Sequence, residues 1–184
     1  MARRPLPSRD EPLAGERIAN RAVSVETLPP ASRVSLRAGA DGASALGKSL
    51  GFTLPDRVGT SKTARGRTAL MLGPDEWLVM DPKPDASLAP KLPNPAFSTV
   101  DVSHRNVAFA VTGPGAADAL NAGCPRDLRD RAFPVGACAR TVLGKAEIVL
   151  HRVDEQEYRV ECWRSFAPYV FGMLREGARD AALT

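Results

Sequence analysis

The sequence predicts an α+β fold, in which short strands and a few short helices share one core. Val107, Phe109 and Val111 alternate with alanines, which is typical of a strand with a large-residue face and a small-residue face. Ile148-Val149-Leu150 and Tyr158-Arg159-Val160 flank a polar turn, which predicts a hairpin. The chain has 184 residues, of which 43% are hydrophobic. This length is enough for one hydrophobic core, and a second independent core is not expected.

Glycines and capping residues place three helices between these strands. Asp41 is the predicted N-cap of a helix that ends at Gly51, and the turn 113–115 opens a second helix with its exit at Gly123. Ser165 is the predicted N-cap of the last helix. Its apolar residues recur at helical spacing and predict one face that covers the sheet: Phe166, Tyr169, Val170, Met173 and Leu174.

Two halves of the chain, about 31–95 and 98–178, show the same order of strand, helix, strand, turn, strand and helix. Matching segments support this order: 39–46 with 113–120, 70–72 with 148–150, and 87–90 with 165–168, with a helical turn expected at 87–92. One such unit cannot bury its sheet face alone, whereas two can. The sequence therefore predicts a single domain, 31–184, built from two duplicated strand-helix-strand-strand-helix units.

Residues 1–30 are predicted to form an extended N-terminal arm outside that domain, with regular structure beginning at Arg33. Prolines interrupt its charged residues and leave few apolar anchors. Two interpretations stay open: a disordered leader, or a segment that becomes ordered only against another chain. The arm lacks the apolar stretch of a secretion signal, and no run in the chain approaches the ~20 apolar residues that span a bilayer.

Composition excludes several classes of function. The net charge of +4 is mildly basic, but 5% aromatic residues and no recognition motif give nucleic-acid binding little support. Three widely spaced cysteines without a C-x-x-C pair are typical of a reducing cytoplasm. His104 and His151 have no cysteine at ligand spacing, so no metal site is predicted. The basic segment 56–67 is predicted to be a solvated loop, with an anion or partner contact as the alternative.

No catalytic group emerges from the sequence. Asp101, Ser103 and His104 suggest a hydrolase triad, but neighbours along a strand point to opposite faces, so we predict a structural role at the strand entry. His151 is predicted to face solvent, and nothing near Cys124 indicates a lowered thiol pKa. Without a nucleophile–base pair, the chain is predicted to be a binding or assembly module.

Four motifs together give the chain a family resemblance. They are LGPDEW at 72–77, DVSH at 101–104, FPVG at 133–136 and GKAE at 144–147. In this combination, residues 17–176 resemble the gamma subunit of heterotetrameric sarcosine oxidase. That family is in turn similar to the folate-binding domain of the glycine-cleavage aminomethyltransferases, which shares the DVSH entry and the helix start at Gly113-Pro114.

The resemblance implies a fold, a complex and a role. The fold would be that of the folate-binding aminomethyltransferase domain. The chain would be the non-catalytic gamma subunit of a cytoplasmic complex with alpha, beta and delta subunits, which oxidatively demethylates sarcosine to glycine. It would pack against the alpha subunit and stabilise the assembly. FAD, FMN, NAD, tetrahydrofolate and zinc would all lie on other subunits, and the chain would have no nucleic-acid or membrane partner.

One departure from the related aminomethyltransferases concerns folate. Those enzymes place an Asn-Asp pair after the first helix, and its aspartate contacts the folate. Here the matching loop has Asp127 without the preceding asparagine, and the loop is longer. Asp127 is therefore the one candidate cofactor contact of this chain. It supports the alternative hypothesis, a free-standing folate-binding or one-carbon transfer protein; an RNA-modification partner, suggested by segment 56–67, is a third.

Overall fold

The computed structural model describes residues 11–84, 86–88 and 97–183, and in this part of the chain two antiparallel sheets form the fold. The first sheet has the spatial order β1 (Arg17–Ala19), β2 (Ser24–Thr27), β8 (Asn106–Thr112), β11 (Glu157–Trp163), β10 (Ala146–Asp154), β9 (Cys138–Leu143). The second has the order β4 (Ser61–Ala64), β5 (Arg67–Gly73), β6 (Glu76–Asp81), β3 (Ser32–Ala38), β7 (Phe97–Asp101). The helices are α1 (Ala40–Leu50), α2 (Ala116–Asn121) and α3 (Ala167–Ala181), which follows the 3₁₀ turn Arg164–Phe166.

The two sheets lie face to face with helices on the outside. One apolar cluster joins the outer face of the first sheet to α2 and α3, and it includes Val107, Phe109 and Val111 as the alternation predicted. A second cluster joins the outer face of the second sheet to α1. A third, smaller cluster lies between the sheets and includes Leu70 and Val149. The α+β prediction is confirmed, and in β5, β6 and β10 alternate residues lie in different cores.

Backbone hydrogen bonds join the sheets along one side. Strands β4 and β9 meet at their adjoining ends, where Thr60 and Ala137 form an antiparallel bridge. The Ser61 N–H donates to Gly136 O at 2.8 Å, and the Cys138 N–H donates to Gly59 O at 2.9 Å. A single bridge with its neighbouring hydrogen bonds thus connects the two sheets at this point.

A buried ion pair joins the sheets in their interior. Arg33 on β3 donates from Nε to Glu161 Oε2 on β11 at 2.7 Å, and both side chains are 1% exposed. Arg159 donates to the second oxygen of Glu161 at 2.7–2.8 Å. Burial by itself would raise the pKa of Glu161, but Arg159 and Arg33 outweigh it and hold that pKa below its ordinary value.

The two halves of the chain have like topology. The second sheet contains the order β4-β5-β6-β3 and the first the order β9-β10-β11-β8. The proposed residue match is nevertheless out of register: Leu70 lies between the sheets, whereas its match Ile148 faces α2 and α3. A shift of one residue moves a side chain to the other face of a strand, so that alignment is wrong. Duplication of a unit stays a prediction, and the helical turn at 87–92 falls mostly outside the described residues.

The expectation that regular structure begins at Arg33 is wrong. Strands β1 and β2 lie within the predicted arm, and β2 pairs with β8 in the first sheet. Val23 and Val25 are buried in the core beneath α2 and α3. These two buried valines and the pairing of β2 with β8 explain how the segment forms part of the first sheet. Residues 1–10 of the arm lie outside the described part.

Helix ends differ from the sequence expectations in three places. Gly39, and not Asp41, is the N-cap of α1, whereas Gly51 ends that helix in the predicted left-handed conformation at φ 83°. Helix α2 ends at Asn121, and Gly123 is not at a positive φ. Ser165 lies inside the 3₁₀ turn and caps nothing. None of the three helices has a side-chain hydrogen bond at its N-cap, so the capping pattern of the sequence does not locate these ends.

Helix α3 buries a different face from the predicted one. Val170 and Leu174 are buried as expected, but Phe166 and Tyr169 are 42% and 40% exposed. The remaining buried positions are mostly small: Ala167, Phe171, Gly177, Ala178 and Ala181. The buried face of α3 is therefore rotated relative to the predicted one. Small residues on this face allow α3 to approach α2 closely, whereas large side chains would keep the two helices apart.

We expect Gly177→Ala to lower the free energy of unfolding by about 1–3 kcal/mol. A methyl group at this position would come within 2.1 Å of Ala119 O in α2, so the two helices would have to separate. Gly172 is the matched control in the same helix, because a methyl group there has no neighbour within 4 Å. Gly172→Ala should stabilise the protein by up to about 1 kcal/mol. Urea unfolding followed by circular dichroism measures both, and equal effects would contradict the close helix contact.

Removing one partner of the buried ion pair should be costly. Glu161→Ala leaves the Arg33 guanidinium buried without its carboxylate, so we expect a loss of about 3–5 kcal/mol in the free energy of unfolding. The double variant Arg33→Met, Glu161→Leu should lose much less, because it leaves no buried charge from this pair. Glu147→Ala removes an exposed carboxylate on the neighbouring strand and is the control. A loss below about 1 kcal/mol for Glu161→Ala would show that the pair does not hold the sheets together.

Candidate functional site

Asp127, the candidate folate contact, lies in the exposed loop between α2 and β9. Its two carboxylate oxygens accept hydrogen bonds from Arg129 Nε at 2.9 Å and Nη2 at 2.5 Å, and the Arg129 backbone N–H donates at 3.1 Å. These hydrogen bonds to the Arg129 side chain and backbone lower the pKa of Asp127 to about 2. The carboxylate is therefore ionised and already bound by a neighbour on the surface. Its contact with folate stays a prediction.

A cavity of about 750 Å³ opens close to this loop, between α2 and the turn that joins β10 to β11. Asp118 and Asn121 of α2 line one side, Arg129 and Asp130 another, and Tyr158 is buried within it. Asp127 itself does not line this cavity. The sequence analysis therefore placed its candidate residue beside this cavity and not inside it.

Arg152 is the buried cation of this cavity, and the fold uses it structurally. Its Nη1 donates to Phe133 O at 2.8 Å and lies 2.7 Å from the Asp130 carboxylate, while Nη2 donates to Glu155 O at 2.7 Å. The guanidinium also lies over the Tyr158 ring, 5.5 Å from its centroid. Sequence reasoning missed Arg152, although alternation with Ile148 and Leu150 would have placed it on the core face of β10.

The residues of the apparent triad, Asp101, Ser103 and His104, lie at the end of β7 and in the turn that follows it. Asp101 accepts a hydrogen bond from the Ser103 N–H at 2.8 Å, which is the geometry of an Asx turn. Ser103 Oγ accepts from the Arg33 N–H at 2.8 Å and lies 3.3 Å from Arg33 O. His104 is exposed and shares no hydrogen bond with Ser103. Through these hydrogen bonds, Ser103 connects the segment between β7 and β8 to β3. The predicted structural role at the strand entry is confirmed.

His151 is buried, so the prediction that it faces solvent is wrong. Its Nε2 lies 2.9 Å from Ser61 Oγ on β4 of the other sheet. Burial, with a smaller contribution from Arg159, lowers the pKa of His151 to about 4. No carboxylate is hydrogen-bonded to the ring within the described residues. The pair joins the two sheets through a neutral histidine and lacks the acid that would orient a catalytic base.

The three cysteines are buried and unpaired. Burial raises the pKa of both Cys138 and Cys162 to about 12, so their thiols stay protonated and are poor nucleophiles. Among the described residues, no three His, Cys, Asp or Glu side chains are grouped to hold a metal ion. Over the same residues, no helix is long and apolar enough to cross a membrane.

The fold defines the class of protein. The chain superposes on the glycine-cleavage aminomethyltransferase T of Bartonella henselae with a TM-score of 0.59, over 88% of this chain and 49% of that one. The sequences are 12% identical, so this likeness shows a shared fold and nothing more. The predicted aminomethyltransferase-like fold is confirmed.

The family follows from the sequence. The family model described as sarcosine oxidase, gamma subunit family, matches residues 37–180, and the chain belongs to that family. The family resemblance predicted from the four motifs is confirmed.

Relatives and a solved structure agree with this assignment. The sarcosine oxidase subunit gamma of Corynebacterium sp. (strain P-1) is 30% identical over 166 residues, which cover 87% of this chain and 82% of the relative. That of an Arthrobacter species is 34% identical over 145 residues, covering 76% and 71%. A chain of the heterotetrameric sarcosine oxidase from Corynebacterium sp. U-96, in complex with pyrrole 2-carboxylate, superposes with a TM-score of 0.76 at 28% identity, over 90% of this chain and 89% of that one.

The buried histidine predicts a pH dependence of stability. Because the folded state lowers the pKa of His151 from 6.5 to about 4, protonation of the ring favours the unfolded chain. The free energy of unfolding should therefore fall by roughly 2–3 kcal/mol as the pH drops from about 6.5 to about 4. His151→Gln should flatten this slope, whereas His104→Gln, at an exposed site, should not. Urea unfolding at several pH values measures the slope, and an unchanged slope in His151→Gln would contradict the assignment.

Proposed function

We propose that this chain acts as the non-catalytic gamma subunit of a heterotetrameric sarcosine oxidase. In such a complex, sarcosine is oxidatively demethylated to glycine, and this chain stabilises the assembly against the alpha subunit, together with beta and delta subunits. The observation that supports this most is the superposition with a chain of a heterotetrameric sarcosine oxidase over 90% of the length of this chain. The flavins, NAD, tetrahydrofolate and zinc of the complex belong, on this proposal, to the other subunits.

The way the interior uses its polar groups supports an assembly role. His151 contacts Ser61, Glu161 is bound by two arginines, and Arg152 holds backbone carbonyls and Asp130. Each of these groups is occupied in joining one part of the fold to another. These groups therefore hold the fold together, which is what a subunit with an assembly role requires of its interior.

The alternative, a folate-binding one-carbon transfer protein, has less support. Asp127 would have to release Arg129 to bind a folate, and it lies outside the neighbouring cavity. Calorimetry with tetrahydrofolate separates the two hypotheses. Micromolar binding, worth about −8 kcal/mol, that disappears in Asp127→Ala would favour the alternative. Absence of heat is the expected result.

The assembly role predicts the outcome of an omission experiment. The full-length chain alone should neither turn over sarcosine nor show flavin absorbance after purification. Co-expression with the alpha, beta and delta subunits of the same organism should give one stable complex with oxidase activity. Omitting this chain should reduce the yield and lifetime of that complex, measured by size-exclusion chromatography and oxygen uptake. A complex that lacks the chain and keeps full activity and stability would contradict the proposal.

A further inference from the structure

Three neighbouring aromatic side chains are exposed at the start of α3. The chain has ten aromatic residues, two Trp, two Tyr and six Phe. Six of them are buried and Phe97 is half-buried, whereas Trp163, Phe166 and Tyr169 are 44%, 42% and 40% exposed. The exposed aromatic residues of this protein thus occur within seven consecutive positions. We call these three residues the aromatic strip.

The spacing and contacts of the aromatic strip fix its shape. Trp163 ends β11, Phe166 ends the 3₁₀ turn, and Tyr169 is in the first turn of α3. All three lie at the end of the first sheet where β10 begins, because Cys162, next to Trp163, pairs with Ile148 of β10 and Tyr169 contacts Lys145 just before β10. The Tyr169 hydroxyl accepts a hydrogen bond from the Lys145 N–H at 3.1 Å. The Arg105 guanidinium lies over Trp163, 5.3 Å from the ring centroid. Both ends of the strip are therefore held in place by the body of the protein.

The core does not require these aromatic groups at the surface. Helix α3 packs through Val170, Phe171 and Leu174 together with its small residues, and the aromatic strip lies off that face. A contiguous exposed apolar patch is typical of an interaction site, and Trp, Tyr and Arg are the residues most often found at the energetic centre of protein interfaces. The strip has this composition in a chain that buries nearly all its other aromatic rings.

The charges around the aromatic strip indicate the chemistry of its partner. Arg105 lies at the Trp163 end and Lys145 at the Tyr169 end, and within the described residues neither forms an ion pair with an acidic side chain. Other cations of this region are neutralised, as Arg140 is by Glu76 and Glu147. A second copy of this chain would place the same two cations against each other, which like-charge repulsion opposes. A different protein with carboxylates is favoured.

We propose that the aromatic strip is the surface through which this chain docks on another subunit of its heterotetramer. The partner presents an apolar cleft that receives Trp163 and Phe166, with carboxylates at its edges that pair with Arg105 and Lys145. This inference rests on the proposed function, because it takes that heterotetramer as the occupant of the surface.

A paired substitution tests the apolar part of the surface. Trp163→Ser with Phe166→Ser, in the full-length chain, should weaken binding to the co-purified remaining subunits by at least roughly 30-fold. Val58→Ser with Val153→Ser is the matched control, because those two valines are 49% and 41% exposed elsewhere on the surface, and it should bind as the unsubstituted chain does. Thermal unfolding of each free chain checks that the fold is kept. Binding of the aromatic variant within about threefold of the unsubstituted chain overturns the docking surface and leaves the proposed function standing.

Charge reversal tests the same surface without removing any apolar contact. Arg105→Glu with Lys145→Glu should weaken binding at low salt and reduce its salt dependence. Arg57→Glu with Lys62→Glu should change neither; these residues belong to the basic segment 56–67, which is not all loop as predicted, since Lys62 lies in β4. If the Trp163→Ser, Phe166→Ser variant fails to fold, the Arg105→Glu, Lys145→Glu variant is the test, and unchanged affinity and salt dependence of that variant overturn the proposal. If the unsubstituted chain itself does not bind the remaining subunits, the proposed function fails and this inference with it.

Discussion

The buried ion pair between Arg33 and Glu161 is the interaction on which the arrangement of the two sheets depends. Charges of this kind are costly to bury, and they are tolerated only when every polar atom finds a partner. Here Glu161 receives Arg33 on one oxygen and Arg159 on the other, while Arg33 Nη1 also donates to Ala31 O at 3.0 Å. Because those partners come from strands of both sheets, their relative position is fixed by electrostatics as well as by the small apolar cluster between them.

Several other polar groups join separate parts of the fold. His151 reaches Ser61 across the sheets, Ser103 fastens the link after β7 to β3, and Arg152 ties the loop after α2 to the β10–β11 turn. Each would be a candidate for chemistry in an isolated sequence motif. In the folded chain their donors and acceptors are satisfied by neighbours, so their contribution is rigidity, and a rigid body presents a preformed surface at low entropic cost.

Helix α3 connects the packing of the interior to that surface. Small residues on its buried face bring it close to α2, and Gly177 lies where even a methyl group would meet Ala119 O. This close approach rotates the helix, so that Phe166 and Tyr169 point away from the sheet although their spacing is that of an apolar face. The same rotation brings the Tyr169 hydroxyl to the β9–β10 turn, where it accepts a hydrogen bond from the backbone N–H of Lys145. The exposed aromatic strip is thus a consequence of how the core packs.

The sequence by itself determined the α+β class, the strand Asn106–Thr112 to within a residue, the hairpin of β10 with β11, and the family, because these rest on local periodicity, turn residues and contiguous motifs. Only the tertiary structure decided which partner each polar side chain meets, as with Glu161 and Arg33, which lie 128 positions apart. It also decided that residues 17–27 join the first sheet and that α3 turns its aromatic side outward. The spacing of apolar residues shows that a helix or strand has an apolar face. Which element covers that face depends on contacts between distant segments of the chain, and no local sequence pattern contains that information.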